Sequence, residues 1–254
     1  MIADKLLYVL PLLFVVAALY SSVGHGGASG YLAVLSFLGI AIPPLVPVVL
    51  MMNIIVASIS FLHFRKPGDF SIRTLLPFVV TSIPAAYVGG MHKVSDIAFA
   101  VILGLALLAA GIRLLGFQAT AGRRSFDPKM LWLVGLPVGA VLGLVSGMIG
   151  IGGGVFLSPI LIFSGLTDTK GSAALSSAFI VINSLSGLAG ASSHFDVSYS
   201  VALPMVAAGA VGALVGANWG AMRAQAARLQ AVLGCVLILA SVKLLSGIFT
   251  SAGH

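Results

Sequence analysis

The chain has 254 residues, of which 59% are hydrophobic and 7% are charged, and its formal net charge is +7. A soluble domain carries roughly a quarter of charged residues, so this composition excludes a water-soluble fold and indicates an integral membrane protein in a lipid bilayer. The excess of Lys and Arg is typical of cytoplasmic loops. No stretch combines clustered basic residues with exposed aromatic ones, so we expect no nucleic-acid partner.

Five apolar segments are predicted in each half of the chain. In order, they cover about 6–22, 26–39, 44–64, 71–91 and 98–116, then 131–147, 152–165, 172–192, 199–219 and 229–249. The third to fifth segments of each half have about 20 residues, enough to cross a hydrocarbon core of about 30 Å. The second segments have about 14 residues, reach only about 20 Å, and begin at glycine clusters.

The acidic residues are all aspartates, and each lies in or beside a predicted loop: Asp4, Asp69, Asp96, Asp127, Asp168 and Asp196. Spans without carboxylates argue against a carboxylate proton relay or a cation site. We therefore expect neither a metal nor a cofactor. The single cysteine, Cys235, lies in an apolar span and forms no intramolecular disulfide.

The two halves align with each other, which predicts an internal duplication. Residues 24–28 match residues 150–154 at an offset of 126, and Pro77 matches Pro204 at 127. The predicted organisation is a first membrane repeat at 1–116, a cytoplasmic linker at 117–130 and a second membrane repeat at 131–254.

The charges predict opposite orientations for the two repeats. The connection 65–73 and the central loop, with Arg123 and Arg124, are the most basic and should be cytoplasmic. The counterpart of the first, residues 192–200, has neither Lys nor Arg. We therefore expect an inverted-topology pair with an odd number of crossings in each half and both termini outside.

The crossings can be arranged in two ways. Either all five segments of a half cross, or the first two form a re-entrant hairpin and three cross. The short second segments favour the hairpin. One long broken helix in each half would instead give parallel repeats, which contradicts the charges. The predicted fold is therefore an all-α polytopic membrane protein of two inverted-topology repeats. Each repeat would have a glycine-broken, re-entrant helical hairpin followed by three transmembrane helices.

Paired glycine breaks at matching positions of two repeats indicate a transporter binding site. In hydrocarbon, a broken helix is tolerated only inside protein or beside a water-filled cavity. The helices that follow the breaks would point the positive ends of their dipoles at one region, which favours a small anion as substrate. The alternative is that these glycines only permit close packing. The candidate substrate-binding glycines are Gly24, Gly26, Gly27, Gly150, Gly152, Gly153 and Gly154. Pro159 is a candidate helix break, and its counterpart is Ala33.

Polar side chains near the breaks are candidates to complete the cavity, although they equally serve as contacts between helices. The wider set is Ser21, Ser22, Asn53, Ser58, Ser60, Ser146, Ser176, Ser177, Asn183, Ser184 and Ser186, of which we select Ser22, Asn53, Ser177 and Asn183 as substrate-binding. His25 lies inside the first break and could bind an anion or carry a coupling proton. Arg113 and Lys243 end the last helix of each repeat. Snorkelling to headgroups is the simpler interpretation, and a vestibule charge for anions is the other.

A row of small residues, Gly209, Gly212, Gly216 and Gly220, predicts close helix packing. It would pack within the protomer or against a second copy, so a homodimer is left open.

At these motifs the chain resembles the TauE/SafE sulfite-exporter family, also called the toluene-sulfonate uptake permease group. The resemblance rests on the stretch "GLVSGMIGIGGGVFLSPILIFSGL" at 143–166, on "SSAFIVINSLSGLAG" after it, and on "SHFDVSYSVALPMVAAGAVGALVGANWGA". It implies transport of sulfite, organosulfonates or related sulfur compounds across a bacterial inner membrane. The first repeat departs from the pattern at His25, Ala28 and Ala33.

Two other functions are suggested by single features of the sequence. Gly27-Ala28-Ser29-Gly30 matches the GxSG motif of rhomboid-type intramembrane proteases, but no later predicted span after the third supplies the His base that Ser29 would need. A passive anion channel would use the same site without alternating access. The function predicted is therefore secondary transport of small sulfur oxyanions, with no catalytic residue. Export is favoured by the membrane potential, while proton coupling and the identity of the anion stay open.

Overall fold

The computed structural model describes residues 2–67, 70–92, 94–116, 127–194, 197–220 and 226–251, and within these ranges the chain forms ten α-helices. They are α1 (Ile2–Ser21), α2 (Ala28–Phe37), α3 (Val46–Phe64), α4 (Ile72–Met91), α5 (Asp96–Gly116), α6 (Pro128–Ile149), α7 (Gly154–Phe163), α8 (Thr169–Gly190), α9 (Tyr199–Gly220) and α10 (Ala226–Ser251). Short 3-10 turns cover Pro43–Leu45 and Ala191–His194. The ten predicted segments correspond to these helices in order.

Six stretches in the described part of the chain are long and apolar enough to cross a membrane: Pro43–Phe64, Ile72–Met91, Asp96–Leu115, Pro128–Ile149, Thr169–Gly190 and Tyr199–Asn218. They confirm an all-α polytopic membrane protein. The basic residues Arg123 and Arg124, and most of the predicted linker, lie outside the described residues.

The second helix of each half is shorter than predicted. α2 and α7 have 10 residues each, or about 15 Å of helix, and not the 14 residues expected. Glycines with positive φ close both helices at matching positions, Gly39 at φ 62° and Gly165 at φ 75°. Such a conformation ends a helix at little cost only when the residue is glycine.

Local signals fix the start of two helices in the second half. The Asp127 carboxylate accepts a hydrogen bond from the Lys129 amide, and Pro128 occupies the first helical position. The Asp168 carboxylate accepts from the Gly171 amide at 2.7 Å and caps α8. Both side chains satisfy amides that a helix N-terminus leaves unpaired.

The two halves pack into each other. α4 of the first half lies along α6 of the second, and α9 of the second half lies along α1 of the first. Gly139, Gly143 and Gly147 of α6 face the backbone of α4 at Phe78, Ser82 and Ala86. Both series of residue numbers rise together, so α4 and α6 run parallel.

Three glycines of the predicted row pack inside this protomer. Gly212 and Gly216 face the backbone of α1 at Phe14 and Ala18, and Gly209 faces Met52 of α3. A homodimer would therefore need another surface. The numbers again rise together, so α9 and α1 also run parallel.

Helices at matching positions of the two halves contact each other in antiparallel pairs. In α5 and α10, Gly104 lies against Leu245 and Gly111 against Ile238, so the numbers rise on one helix as they fall on the other. The Ser241 hydroxyl of α10 donates to the Gly104 carbonyl at 2.7 Å. α3 and α8 pack in the same antiparallel sense, because Ser60 and Ser177 both bond to the first break while Leu50 lies beside Gly187.

These directions give the bundle two distinct ends. At one end, which we call the basic end, α3 and α5 finish and α4, α6, α8 and α10 begin. At the other end, which we call the terminal end, α1 starts and α10 finishes. The described cations of the basic end's connections and first turns are Arg65, Lys66, Arg73, Lys129 and Lys170.

The first two helices of the chain fold back on each other. The Lys5 ammonium, near the start of α1, donates to the Leu38 carbonyl just after α2 at 2.8 Å. The start of α1 and the end of α2 therefore lie together at the terminal end, with the first glycine break at the bend.

Candidate functional site

The two predicted glycine breaks have the same backbone conformation at the point where each short helix begins. Gly27 (φ 95°) precedes α2 and Gly153 (φ 76°) precedes α7, and both lie in the left-handed region. Residues 24–27 and 150–153 are buried. The breaks are therefore enclosed by protein, as the lack of water in a hydrocarbon core requires.

Asn53 of α3 joins the two breaks. Its Oδ1 accepts from the Ala28 amide, the first of α2, at 3.1 Å, and its Nδ2 donates to the Ile151 carbonyl in the second break at 3.1 Å. Asn53 is fully buried. One side chain thus satisfies backbone groups of both breaks.

Glycine is required on both sides of this contact. A Cβ at Gly26 would lie 2.5 Å from Asn53 Oδ1, and a Cβ at Gly152 would lie 3.1 Å from Asn53 Nδ2. Both added atoms would also meet the same methyl group of Ile180 in α8. We call this meeting point of Gly26, Gly152, Asn53 and Ile180 the junction.

Hydroxyls from two helices hold the first break. Ser60 of α3 donates to the His25 carbonyl at 3.2 Å, and Ser177 of α8 donates to the Gly24 carbonyl at 2.7 Å. The structure thus brings Ser177, Asn53 and the glycines of the first break together.

Two selected residues bond elsewhere. Ser22 donates to the Leu19 carbonyl of its own helix, and Asn183 donates to the Phe179 carbonyl of its own helix. Gly154 is the first residue of α7, and Pro159 lies inside α7. Because proline lacks an amide hydrogen, Pro159 withholds the usual bond to the carbonyl four residues before it.

A polar chain extends from the first break towards the basic end. One guanidinium nitrogen of Arg113 donates to Ser158 Oγ of α7 at 2.6 Å, and the other lies 3.4 Å from His25 Nε2. Ser158 Oγ in turn lies 2.8 Å from Ser172 Oγ of α8. Arg113 therefore points into the protein, and not outward to headgroups.

The hydrogen bonds of this polar network assign the tautomer of His25. A guanidinium can only donate, so Nε2 is assigned as the acceptor. His25 Nδ1 then carries the hydrogen and donates to the Val23 carbonyl at 3.1 Å. The network therefore assigns a neutral His25.

Lys243, the counterpart of Arg113, has a different role. Its ammonium donates to the Ser36 and Phe37 carbonyls at 2.7 and 3.0 Å, at the C-terminus of α2. A cation there compensates the negative end of the helix dipole. The two repeats thus use equivalent cations differently.

Several buried polar atoms lack a hydrogen-bond partner among the described residues: Ser82 Oγ, Ser176 Oγ, Asn183 Oδ1 and Ser184 Oγ. Ser184 Oγ lies where a Cβ on Gly152 would meet it, at 2.9 Å, so it borders the junction. Buried hydroxyls are normally paired, and an unpaired one marks a place for another polar group.

The hydroxyl of Ser29, in the GxSG motif, is engaged by Tyr20 of α1. The two oxygens lie 2.5 Å apart, and both side chains are buried. A nucleophile would instead need a base such as His within this distance.

A cleft of about 360 Å³ opens at the terminal end. Its walls include Gly147 and Met148 of α6, together with Pro43, Pro44, Val46, Pro47, His92, Asp96 and Phe99. Val46 also lies against Gly150. Because Val46 lines the cleft, the wall of the cleft lies next to the second break.

The sequence pattern did not identify Ser158. It lies in an apolar helix one turn after Gly154, and no local signal distinguishes it from a packing serine. Its role becomes visible only through Arg113, 45 residues away in the chain.

Comparison with known proteins assigns the family. The model of the sulfite exporter TauE/SafE family matches residues 9–244. The chain is also similar to the "Probable membrane transporter protein y4hK" of Sinorhizobium fredii (strain NBRC 101917 / NGR234), with 32% identity over 241 residues, which cover 91% of this chain and 95% of that protein. No solved structure matches. With a family match over nearly the whole chain and the duplicated glycine breaks in its helical fold, the protein belongs to the TauE/SafE sulfite-exporter family of membrane transporters.

Proposed function

We propose that this transporter exports small sulfur oxyanions, sulfite or organosulfonates, across a bacterial inner membrane, and that it binds them at the junction. The observation that carries the proposal is the meeting of both glycine breaks at Asn53. Helices α2 and α7 begin there, and helix N-termini attract anions through their free amides and dipoles.

The surroundings of the junction suit a negative charge. Its side chains are an amide, hydroxyls and an aliphatic group. The described aspartate side chains stand at helix starts: Asp96 in the first turn of α5, Asp127 before α6 and Asp168 before α8. These described carboxylates do not contact Asn53, so an anion bound at the junction would not lie against any of them.

The inverted arrangement of the repeats is part of the proposal. Antiparallel packing of α5 against α10 and of α3 against α8, each pair from matching positions, supports it. The cations of the basic end support a cytoplasmic location for that end, which leaves both termini outside. The fold-back of α1 and α2 supports a re-entrant hairpin.

Alternating access follows from this arrangement. The buried junction lies between the two halves, and the cleft at the terminal end reaches Met148 beside the second break. Rocking one repeat against the other would open the junction to one side at a time. A passive channel would instead need a continuous opening, whereas the four residues of the junction are buried.

The membrane potential supplies a direction. Moving one elementary charge across 100 mV changes its free energy by about 2.3 kcal/mol, so a negative interior drives an anion outward. Export then needs no further driving force. His25, assigned neutral, is the group in the breaks that could accept a coupling proton.

The test is efflux of labelled sulfite from proteoliposomes. Asn53→Asp keeps an oxygen for the Ala28 amide but adds a negative charge at the junction, so flux should fall at least about tenfold. The matched control is Asn218→Asp, because Asn218 is exposed in α9, where its Nδ2 donates to the Leu214 carbonyl of its own helix and its Oδ1 lies 3.2 Å from His63 Nε2. It should keep wild-type flux.

A second variant covers the case in which Asn53→Asp does not fold. Gly26→Ala adds one methyl group at the junction, and its flux should also fall. Sulfite flux that survives in folded Asn53→Asp and Gly26→Ala would exclude the junction as the site. The absence of sulfite and sulfonate flux in wild type would exclude the substrate class.

A further inference from the structure

We propose that Arg113 forms an anion subsite on the cytoplasmic side of the junction, where its guanidinium binds the sulfur oxyanion before the anion enters the breaks. This inference rests on the proposed function and adds a charged residue and a path to it. In this proposal Arg113, the cation of the first repeat, binds the substrate, and its counterpart Lys243 in the second repeat does not.

The position of the guanidinium is the first support. Arg113 lies near the basic end of α5, and its side chain reaches inward to Ser158 and His25, which are 2% and 4% exposed. It therefore connects α5 with α7 and with the first break. A cation at the end of an apolar helix would otherwise extend to the headgroups.

The neutrality of its partners is the second support. Among the described residues, Arg113 contacts a serine hydroxyl and the neutral His25, and none of these contacts compensates its positive charge. For a partly buried cation such as Arg113, the missing counter-charge is unfavourable, and a bound anion would supply it. The planar guanidinium can donate two parallel hydrogen bonds to two oxygens of one oxyanion.

Serine side chains follow α8 from this subsite towards the junction. Ser158 contacts Ser172, and one turn further along α8 lies Ser176, which is fully buried with no hydrogen-bond partner among the described residues. The Ser176 backbone lies against Gly154, at the start of α7. An anion leaving Arg113 thus finds an unused hydroxyl on the way to the second break.

The contrast with Lys243 is the third support. Lys243 donates to the last carbonyls of α2, whereas Arg113 donates to Ser158 in the middle of α7. A purely structural cation would be expected to cap α7 as Lys243 caps α2. Arg113 lies on the basic side of the site and Lys243 on the terminal side, so the two sides differ in the cation offered to an anion, which gives inward and outward states different affinities for it.

The experiment measures equilibrium binding of sulfite to purified protein in detergent. Arg113→Gln removes the charge, and its dissociation constant for sulfite should rise about thirtyfold or more, as for loss of one partner of a buried charge pair. Lys243→Gln is the matched control, because it removes the equivalent charge of the other repeat. Its sulfite affinity should stay within twofold of wild type.

Arg113→Lys keeps the charge and protects against misfolding of the neutral variant. It loses the two parallel donors, so its sulfite affinity should fall by a smaller factor, about three- to tenfold. Unchanged sulfite affinity in folded Arg113→Gln would overturn the subsite. If that variant does not fold, unchanged affinity in Arg113→Lys would overturn it.

Failure of the subsite is distinguishable from failure of the function. Wild-type protein that binds sulfite while both Arg113 variants bind equally well would leave the junction as the site and remove Arg113 from it. Wild-type protein that binds neither sulfite nor methanesulfonate would overturn the proposed substrate class, and the subsite with it.

Discussion

The contact between α4 and α6 allows one substitution to be predicted in detail. A Cβ on Gly143 would lie 2.6 Å from the Cα of Ser82, whereas carbon atoms in contact normally stand about 3.5–4.0 Å apart. The helices would have to separate by about 1 Å, because the opposing atoms are backbone and cannot rotate away. We therefore expect Gly143→Ala to destabilise the fold.

The magnitude follows from two opposing effects. Overpacking costs typically about 1–3 kcal/mol, and here the rigid backbone contact favours the upper part of that range. Replacing glycine by alanine within a helix stabilises the fold by about 1 kcal/mol through helix propensity, which offsets part of this cost. The net loss should be about 1–2 kcal/mol.

The matched control is Gly247→Ala in α10. An added Cβ there meets no atom of the described residues within 4 Å outside its own helix, so the gain in helix propensity should dominate. This variant should gain about 0.5–1 kcal/mol. The two variants make the same chemical change and are expected to differ in sign.

Thermal unfolding in detergent, followed by tryptophan fluorescence, compares them. Trp132 of α6 lies one turn before Gly135 and reports on the helix concerned. Gly143→Ala should unfold below wild type and Gly247→Ala at or above it. Equal or higher stability of Gly143→Ala would refute the close backbone contact between α4 and α6.

Three further predictions concern single side chains. Asp168→Ala should lower the stability by about 1 kcal/mol in the same unfolding assay, because the α8 N-terminus loses its cap, and Asp168→Asn should restore most of it. Asn53→Leu should cost about 2–6 kcal/mol, since it leaves the Ala28 amide and the Ile151 carbonyl unpaired, and a loss below 1 kcal/mol would contradict the bridging role. Ser29→Ala should keep full sulfite flux in proteoliposomes, because Ser29 only pairs with Tyr20; lost flux in a folded variant would show that this hydroxyl is needed for transport.

Local signals made much of the fold predictable from sequence. Gly27 and Gly153 interrupt apolar runs at matching positions, and a glycine cluster ends a helix through its own backbone freedom. Asp127 and Asp168 likewise precede helices as caps. The ten segments and the two breaks therefore follow from nearby residues.

Long-range contacts were not predictable in the same way. The end of an apolar run is where a cation snorkels, so the local pattern at Arg113 suggests headgroups, although its partner Ser158 lies 45 residues away. Ser22 and Asn183 were selected for polarity alone, and each bonds within its own helix instead. Which neighbour a buried polar group meets depends on packing between helices, and one sequence does not contain that information locally.

The crossed pairing of the halves has a consequence for biosynthesis. α1 packs along α9, and the contact between Phe14 and Gly212 joins residues 198 positions apart in the chain. At a synthesis rate of about 5–20 residues per second, α1 waits about 10–40 s in the membrane before its partner emerges. During that interval its contact face is open to lipid and to membrane chaperones. A ribosome that stalls before α9 would leave α1 exposed to membrane quality control, whatever the state of the helices between them.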